Sequence, residues 1–180
     1  MKKIAIIGTH SAGKTTLCYL LAAHYKMKDL SVKIIQEVAR NCPFPLNDKM
    51  SKEACLWIYH EHTKKEIECH DHYDILICDR SPIDSFIYSL AQDCFDLNDP
   101  VMLFGKRSAE YWMDSYEKII YVRPNHKDIV PDGFRSTDRE FQKRVEDQFD
   151  IWLESNYLKE NILSITTEDV INNRFWELYK

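Results

Sequence analysis

The sequence predicts a single three-layer α/β domain in which a five-stranded parallel sheet lies between two layers of helices. Short β-type runs alternate with helical stretches along the 180 residues, an order typical of right-handed crossovers and parallel strands. The first and third runs are almost entirely apolar, as expected of strands that are buried on both faces. A chain of this length can bury one full core.

Five strands and six helices are expected in alternating order. The expected strands span residues 3–7, 32–36, 74–79, 118–122 and 161–166. The expected helices span about 14–28, 51–70, 83–94, 106–116, 137–156 and 168–178. Because such sheets bind ligands at the carboxyl ends of their strands, the residues that follow each strand are the first candidates for a functional site.

Composition and charge narrow the classes of partner. The formal net charge of −5 disfavours nucleic acid as the main partner, because a phosphate backbone is usually bound by a basic face. No uncharged apolar run approaches the roughly 18 residues of a membrane span. The apolar run after Met1-Lys2-Lys3 is too short for a signal peptide, so we expect a cytoplasmic protein with free thiols.

Metal-ligand residue types are grouped at Cys69-His70-Asp71-His72. A zinc site usually spaces its ligands around a turn and adds a second pair elsewhere in the chain. We therefore interpret this group as the solvated end of a helix.

The segment from Gly8 to Thr15 reads G-x-x-x-x-G-K-T between the first strand and the first helix, which is the context of a phosphate-binding P-loop. Its backbone N–H groups and the dipole of the following helix favour phosphate oxygens. Lys14 supplies a cation for the β- and γ-phosphates, and the Thr15 hydroxyl can ligate Mg²⁺. The sequence therefore predicts a P-loop NTPase domain that binds ATP or GTP with Mg²⁺.

The expected nucleotide-binding residues all belong to this loop and the start of its helix: they are Gly8, His10, Ser11, Ala12, Gly13, Lys14, Thr15 and Thr16. We expect Lys14 to lie on a solvent-facing loop and to make no contribution to the packing of the core.

Charged residues follow two further strands. Asp79 ends the third strand, where it can hold the Mg²⁺ shell, and Arg80 beside it can neutralise charge on a transferring phosphoryl group. The alternative role of Asp79 is to cap the next helix. Glu37 follows the second strand and could accept a proton from an attacking hydroxyl or touch the metal. The alternative is an exposed glutamate of no functional importance.

A second arginine-containing stretch precedes the fifth expected helix. Thr137 and Glu140 match a T-x-x-E capping box, which predicts that a helix starts there. Arg135 then lies on the preceding loop and Arg139 in the first helical turn. Guanidinium groups at such a junction suit a lid that closes on the γ-phosphate, so a lid is expected over about 123–145. A solvated charged helix is the alternative.

Four stretches together resemble the nucleoside- and nucleotide-kinase branch of P-loop proteins. They are Gly8-Thr-His-Ser-Ala-Gly-Lys-Thr-Thr16, Glu37-Val-Ala-Arg40, Asp79-Arg-Ser-Pro-Ile-Asp84 with Tyr88, and Asp132-Gly-Phe-Arg135 with Arg139. The chain is most similar to the AAA-type ATPase/kinase-like family that includes the nicotinamide riboside kinase domain of NAD-biosynthesis regulators. More distantly it resembles thymidylate and deoxynucleoside kinases.

This resemblance implies the strand order 2-3-1-4-5 and a helical wall around Ser51–His70 over the acceptor site, within an acceptor-side region of about 41–70. It implies that Asp79-Arg80-Ser81 corresponds to the Asp/Glu-Arg-Ser/Tyr motif of these kinases and that Glu37 is the acceptor-side carboxylate. Candidates to line an acceptor pocket are Trp57, Tyr59, His60, Asp84 and Tyr88. Ordinary packing is the alternative for each.

The function that these residues favour is transfer of the γ-phosphate of ATP to a small nucleoside- or nucleotide-like acceptor. The expected catalytic residues are Lys14, Glu37, Asp79, Arg80, Arg135 and Arg139, with Thr15 and Asp79 at the metal. Two alternatives stay open: a nucleotide-dependent switch or slow NTPase with a protein partner, and a polynucleotide 5′-kinase. Assembly of two copies into a homodimer is also left open.

Overall fold

One parallel sheet organises the part of the chain that the structure describes. This computed structural model describes residues 1–46, 50–92, 95–125, 137–156 and 160–179. The sheet has the order β2-β3-β1-β4-β5, which confirms both the predicted fold class and the strand order implied by the resemblance. Its strands are β1 (Lys2–Ile7), β2 (Val32–Ile35), β3 (Ile75–Asp79), β4 (Lys118–Arg123) and β5 (Ile162–Thr166).

The helices lie between and after these strands. They are α1 (Lys14–Lys26), α2 (Lys52–Glu68), α3 (Pro82–Ala91), α4 (Pro100–Met113), α5 (Arg139–Ser155), α6 (Thr167–Ile171) and α7 (Phe175–Leu178), with a 3₁₀ turn at Val38–Asn41. None of the described helices is long and apolar enough to cross a membrane.

The central strands β1, β3 and β4 bury apolar side chains on both faces, and each face of the sheet carries its own core. In β1, Ala5 and Ile7 join the core that contains residues of α2 to α5. Ile4 and Ile6 point the other way and pack with residues of α1, α6 and α7. Alternation of side chains along a strand therefore produces the three predicted layers.

Three of the differences between the predicted and observed helices have a visible local cause. Helix α4 begins at Pro100 rather than near 106, because the Asp99 carboxylate accepts a hydrogen bond from the Val101 N–H at 2.9 Å. The expected helix at 168–178 is two short helices, separated near Asn173, whose φ is 56°. Helix α5 is capped by Asp138 and not by Thr137, since the Asp138 carboxylate accepts from two backbone N–H groups of the first turn.

The residues grouped at Cys69 to His72 lie at the end of α2, as interpreted from the sequence. Cys69 is the C-terminal cap of that helix, and the three residues after it are exposed. The cysteines of the described residues that are free thiols are Cys18, Cys42, Cys55, Cys69 and Cys78.

The register of β1 and β3 sets the position of the site. Ile6 pairs with Asp79, and the Arg80 N–H donates to the Ile6 carbonyl at 3.0 Å. Because the two strands are parallel neighbours, the loop after β1 and the charged residues after β3 emerge side by side at one edge of the sheet.

Candidate active site

The phosphate loop is held in a conformation that its glycines permit. Gly8 has φ 136° and Gly13 has φ 85°, values that side-chain-bearing residues rarely adopt. A Cβ at Gly8 would lie 2.5 Å from the carbonyl oxygen of Val122 on β4. Gly8 is therefore required both for its dihedral angle and for close approach to the neighbouring strand.

Lys14 corrects one expectation from the sequence. Its side chain is buried, with only 6% of the residue exposed, and its ammonium group donates to the Thr9 carbonyl inside the loop. Burial, and next the charge of Arg80, lower the Lys14 pKa to about 8. The prediction of a solvent-facing Lys14 was wrong, because the loop folds over the first turn of α1 and encloses the side chain.

The two predicted metal-binding residues are adjacent. The Thr15 hydroxyl donates to the Asp79 carboxylate at 2.6 Å, and Asp79 is 3% exposed. Both offer hard oxygen atoms, which are the ligands that Mg²⁺ prefers. The donor set at this edge of the sheet therefore fits Mg²⁺.

Helix α3 is capped by residues other than Asp79. Ser81 is its N-cap, and Asp84 completes a capping box by accepting from the Ser81 N–H at 2.9 Å. The other carboxylate oxygen of Asp84 accepts from the Gly8 N–H at 3.1 Å. The capping alternative for Asp79 is thus excluded, and Asp84 ties the start of α3 to the phosphate loop.

Glu37 lies in a buried ion-pair cluster. One carboxylate oxygen accepts from Arg80 Nε, and the other accepts from Arg40 Nε at 3.0 Å. Burial alone would raise the pKa of this 9%-exposed residue, but the charges of Arg80 and Lys14 outweigh burial and lower the pKa to about 2. Glu37 is therefore ionised at neutral pH and is not the exposed glutamate of the alternative interpretation.

Arg80 is the centre of this cluster and has an unusual backbone. Its φ is 80°, which costs a non-glycine residue about 1–3 kcal/mol. Besides Glu37, its guanidinium donates to the Gly8 carbonyl at 3.3 Å and to the Tyr88 hydroxyl at 3.3 Å, and it lies 4.7 Å from the centre of the Tyr88 ring. These contacts offset the backbone strain and fix the guanidinium beside the phosphate loop.

Two cavities meet at this cluster. The first is lined by residues of the phosphate loop, by the predicted metal-binding residues and by two charged residues: His10, Ser11, Ala12, Gly13, Lys14, Thr15, Thr16, Glu37, Asp79 and Arg80. The second is mostly apolar and is lined by His10, Glu37, Val38, Ala39, Leu46, Met50, Ile58, His62, Arg80, Asp84, Ser85, Tyr88 and Gln92. His10, Glu37 and Arg80 line both, so the charged cluster forms the boundary between the two.

The predicted pocket residues divide into two groups. Asp84 and Tyr88 line the second cavity. Trp57 and His60 instead line a groove on the outer face of α2. Tyr59 is 1% exposed and packs in the core, where its hydroxyl lies 3.3 Å from Ser89 Oγ. The ordinary-packing alternative therefore holds for Tyr59.

Two residues that sequence analysis missed support the loop from distant elements. Thr167, at the start of α6, has its hydroxyl 3.0 Å from the Ala12 carbonyl oxygen and 2.9 Å from the Arg123 carbonyl oxygen, which share its single proton. Gln142 of α5 donates to the His10 carbonyl at 2.9 Å. Single Thr and Gln residues carry no motif, so no signal in the sequence pointed to them.

Part of the predicted lid, residues 126–136, lies outside the described residues. Arg135 falls in the segment 126–136, of which the structure describes nothing. Arg139 is the first residue of α5 and is exposed, which agrees with its expected place in the first helical turn. Its role at the γ-phosphate stays a prediction.

Comparison with known proteins decides the family. The AAA domain family matches residues 3–169 of the chain.

The chain belongs to the AAA domain family. No curated protein sequence gives a significant match to this AAA domain, but solved structures share its fold. Thymidylate kinase from Candida albicans is 19% identical with a TM-score of 0.65, over 98% of this chain and 90% of that one. Deoxyadenosine kinase from M. mycoides with bound dATP is 14% identical with a TM-score of 0.67, over 99% of this chain and 100% of that one.

A second structure of the M. mycoides enzyme, with products dCMP and a flexible dCDP, is 16% identical with a TM-score of 0.66 and covers 98% of each chain. At these identities the likeness establishes the fold of the AAA domain: a P-loop α/β domain with the sheet order of nucleoside and nucleotide kinases.

Proposed function

We propose that this AAA domain is a Mg²⁺-dependent phosphotransferase that moves the γ-phosphate of ATP to a small nucleoside- or nucleotide-like acceptor. The observation that carries the proposal is the pair of cavities that share Glu37 and Arg80. A phosphate-binding cavity alone would suit any NTPase. A second, largely apolar cavity at the same charged boundary gives an acceptor a place to bind.

Each side of the boundary has a distinct role in this proposal. On the donor side, the loop N–H groups and Lys14 bind the triphosphate, and Thr15 with Asp79 would hold Mg²⁺, which neutralises phosphate charge when bound. Arg80 faces the group in transfer with a permanent, delocalised charge. On the acceptor side, the ionised Glu37 accepts a hydrogen bond from the attacking hydroxyl and aligns it.

The low pKa of Glu37 favours an orienting role over that of a strong base. A carboxylate with a pKa of about 2 removes a proton weakly at neutral pH. Phosphoryl transfer passes through a loose transition state in which the attacking hydroxyl keeps its proton until late, so alignment contributes more than proton removal. Arg135 and Arg139 are proposed to reach the γ-phosphate from the lid.

The alternatives make different use of the same geometry. A switch or slow NTPase needs no acceptor cavity, and a polynucleotide 5′-kinase needs a basic groove that leads to Glu37. The second cavity is instead lined largely by apolar groups such as Val38, Leu46 and Met50. This lining favours a small, mostly uncharged acceptor.

The test is a product assay with the full chain and Mg²⁺-ATP. Candidate acceptors are the common ribo- and deoxynucleosides, their 5′-monophosphates and a 5′-hydroxyl oligonucleotide, and mass spectrometry follows both ADP and the phosphorylated product. We expect a nucleoside or monophosphate to gain one phosphoryl group per ADP formed. ADP without any phosphorylated acceptor would favour the NTPase alternative, and a phosphorylated oligonucleotide the third one. The Lys14→Met variant is the control for phosphate released by contaminants.

A further inference from the structure

A buried carboxylate behind the second cavity has no part in the phosphate chemistry. Glu66, in the last turn of α2, is 3% exposed. Its Oε1 accepts from the Tyr116 hydroxyl at 2.5 Å, and its Oε2 accepts from Lys3 Nζ at 2.7 Å and Trp112 Nε1 at 2.8 Å. Donors from β1, from α4 and from the segment after α4 therefore converge on one side chain.

These donors keep Glu66 ionised. Burial raises the pKa of a carboxyl group, but the contact with His62 and the charge of Lys3 outweigh burial here and lower the pKa of Glu66 to about 2. Burying an anion in this way is costly unless its oxygens are fully hydrogen-bonded, and those of Glu66 are. The result is a fixed negative charge with a fixed orientation.

Glu66 is also close to His62, which lines the second cavity, unlike the donors Lys3, Trp112 and Tyr116. His62, one helical turn earlier, has its Nε2 atom 3.0 Å from Glu66 Oε1. The two atoms do not have the geometry of a hydrogen bond, but the negative charge at this distance favours the imidazole tautomer whose proton is on Nε2. Nδ1 then remains as the ring atom that can accept a hydrogen bond, on a side chain that lines the cavity.

The surroundings of His62 suggest what the cavity recognises. Ile58, on the same face of α2, lines the cavity with His62, as do Val38 and Leu46. Apolar walls can pack against the faces of a flat heterocycle, whereas one buried polar atom can form a hydrogen bond with a group on its edge. A site that hydrogen-bonds a substrate donor also rejects analogues that lack it, because the site's own polar atom is then left unpaired.

A metal ion is a poorer explanation of this cluster. His62, Glu66 and Cys78 have ligand atoms within 4.8 Å of one another. The Lys3 ammonium, however, lies 2.7 Å from Glu66 and repels a second cation. Burial raises the pKa of the Cys78 thiol well above its usual value, so the thiol keeps its proton and is a weak ligand.

We propose that His62 is a specificity-determining residue of the acceptor cavity. Its Nδ1 atom accepts a hydrogen bond from an N–H or O–H group on the base of a nucleoside-like acceptor. Glu66 is the positioning residue that holds the imidazole ring. This inference rests on the proposed function, since it requires that the second cavity takes the acceptor.

The first experiment removes the ring nitrogens of His62 and keeps a flat ring at this position. With the nucleosides and 5′-monophosphates that the unmodified chain phosphorylates, His62→Phe should raise the acceptor KM about tenfold and leave the ATP KM unchanged. His62→Gln, which keeps a donor and an acceptor, should recover part of the loss. His60→Phe is the matched control, because His60 lies on the outer groove of the same helix and its replacement should change neither KM.

A second measurement does not depend on a folded variant. In the unmodified chain with ¹⁵N-labelled histidine, the shifts of Nδ1 and Nε2 report which ring nitrogen carries a proton, and we expect a proton on Nε2 of His62 and none on Nδ1. Addition of the preferred nucleoside, with the non-hydrolysable ATP analogue AMP-PNP bound, should shift the Nδ1 resonance of His62. Trp112→Phe, which removes one donor to Glu66, should weaken that response and raise the acceptor KM alone.

The outcomes separate the two proposals. If the unmodified chain phosphorylates no acceptor of the panel, the proposed function and this inference both fail. If it phosphorylates one, but the Nδ1 resonance does not respond and a folded His62→Phe chain keeps its acceptor KM within twofold, the inference alone is overturned. Should His62→Phe not fold, the resonance of the unmodified chain decides.

Discussion

Removal of the Glu37 charge should destabilise the fold as well as the site. Glu37→Gln leaves the Arg80 guanidinium, whose side chain is 13% exposed, with only Asp84 at 3.5 Å as a carboxylate partner. The pKa of Glu37 falls from 4.5 to about 2 on folding. At roughly 1.4 kcal/mol per pKa unit, this corresponds to about 3 kcal/mol of stability at neutral pH. Losses of a similar size, about 3–5 kcal/mol, follow the removal of one partner of a buried pair.

The sign of the pH dependence follows from the direction of the shift. A carboxyl whose pKa is lowered in the folded state adds stability that is fully present above its unfolded pKa of 4.5 and is lost as the pH falls towards 2. The difference in the free energy of unfolding between the unmodified chain and Glu37→Gln should therefore be constant near neutral pH. It should already be smaller by about 1 kcal/mol at about pH 4.

Urea unfolding of both chains, monitored by circular dichroism at several pH values, measures this difference directly. Glu154→Gln is the matched control, because Glu154 is an exposed residue of α5 and its replacement should change stability little. A loss below about 1 kcal/mol at neutral pH, or a difference that does not depend on pH, would refute the buried pairing of Glu37 with Arg80.

Three further predictions concern the phosphate loop. The Lys14 pKa is lowered to about 8, and a bound phosphate favours the ammonium form of this side chain. The ATP affinity measured by calorimetry should therefore be highest below pH 8 and should fall as the pH rises through 8. A Lys14→Met chain should bind ATP weakly, and its affinity should not show this dependence on pH. Asp79→Asn should spare ATP affinity but lower kcat by about 100-fold or more, with little change in melting temperature. Asp84→Asn should instead lower the melting temperature, because Asp84 caps α3 and holds Gly8. Equal effects of the two variants on kcat and on melting temperature would contradict this division. Thr167→Val should cost about 1–3 kcal/mol of stability in urea unfolding and weaken ATP binding, since the Ala12 carbonyl of the loop and the Arg123 carbonyl of β4 lose the hydroxyl proton that they share; unchanged values would show that this hydroxyl does not support the loop.

The sequence by itself determined the fold class and the phosphate loop. Apolar runs at β1 and β3 indicate strands buried on both faces, and such strands require helices above and below. The spacing of Gly8, Gly13, Lys14 and Thr15 is set by local backbone geometry, so a local pattern can reveal it. Helix boundaries were predicted less well, because short-range caps such as Asp99 and Asp138 compete with the broader apolar pattern.

Only the tertiary structure decided how the charged residues are paired. Asp84 lines the second cavity, as predicted, but only the structure shows that it also accepts from the Gly8 N–H and so links α3 to the loop. The burial of Lys14, the ion pair between Glu37 and Arg80 and the convergence of donors on Glu66 all join residues from separate elements. Burial and pKa depend on three-dimensional proximity and on the exclusion of water, neither of which a linear pattern contains. For that reason the sequence could indicate the candidate residues for phosphate binding, whereas the second cavity and its His62 wall became visible only in the folded chain.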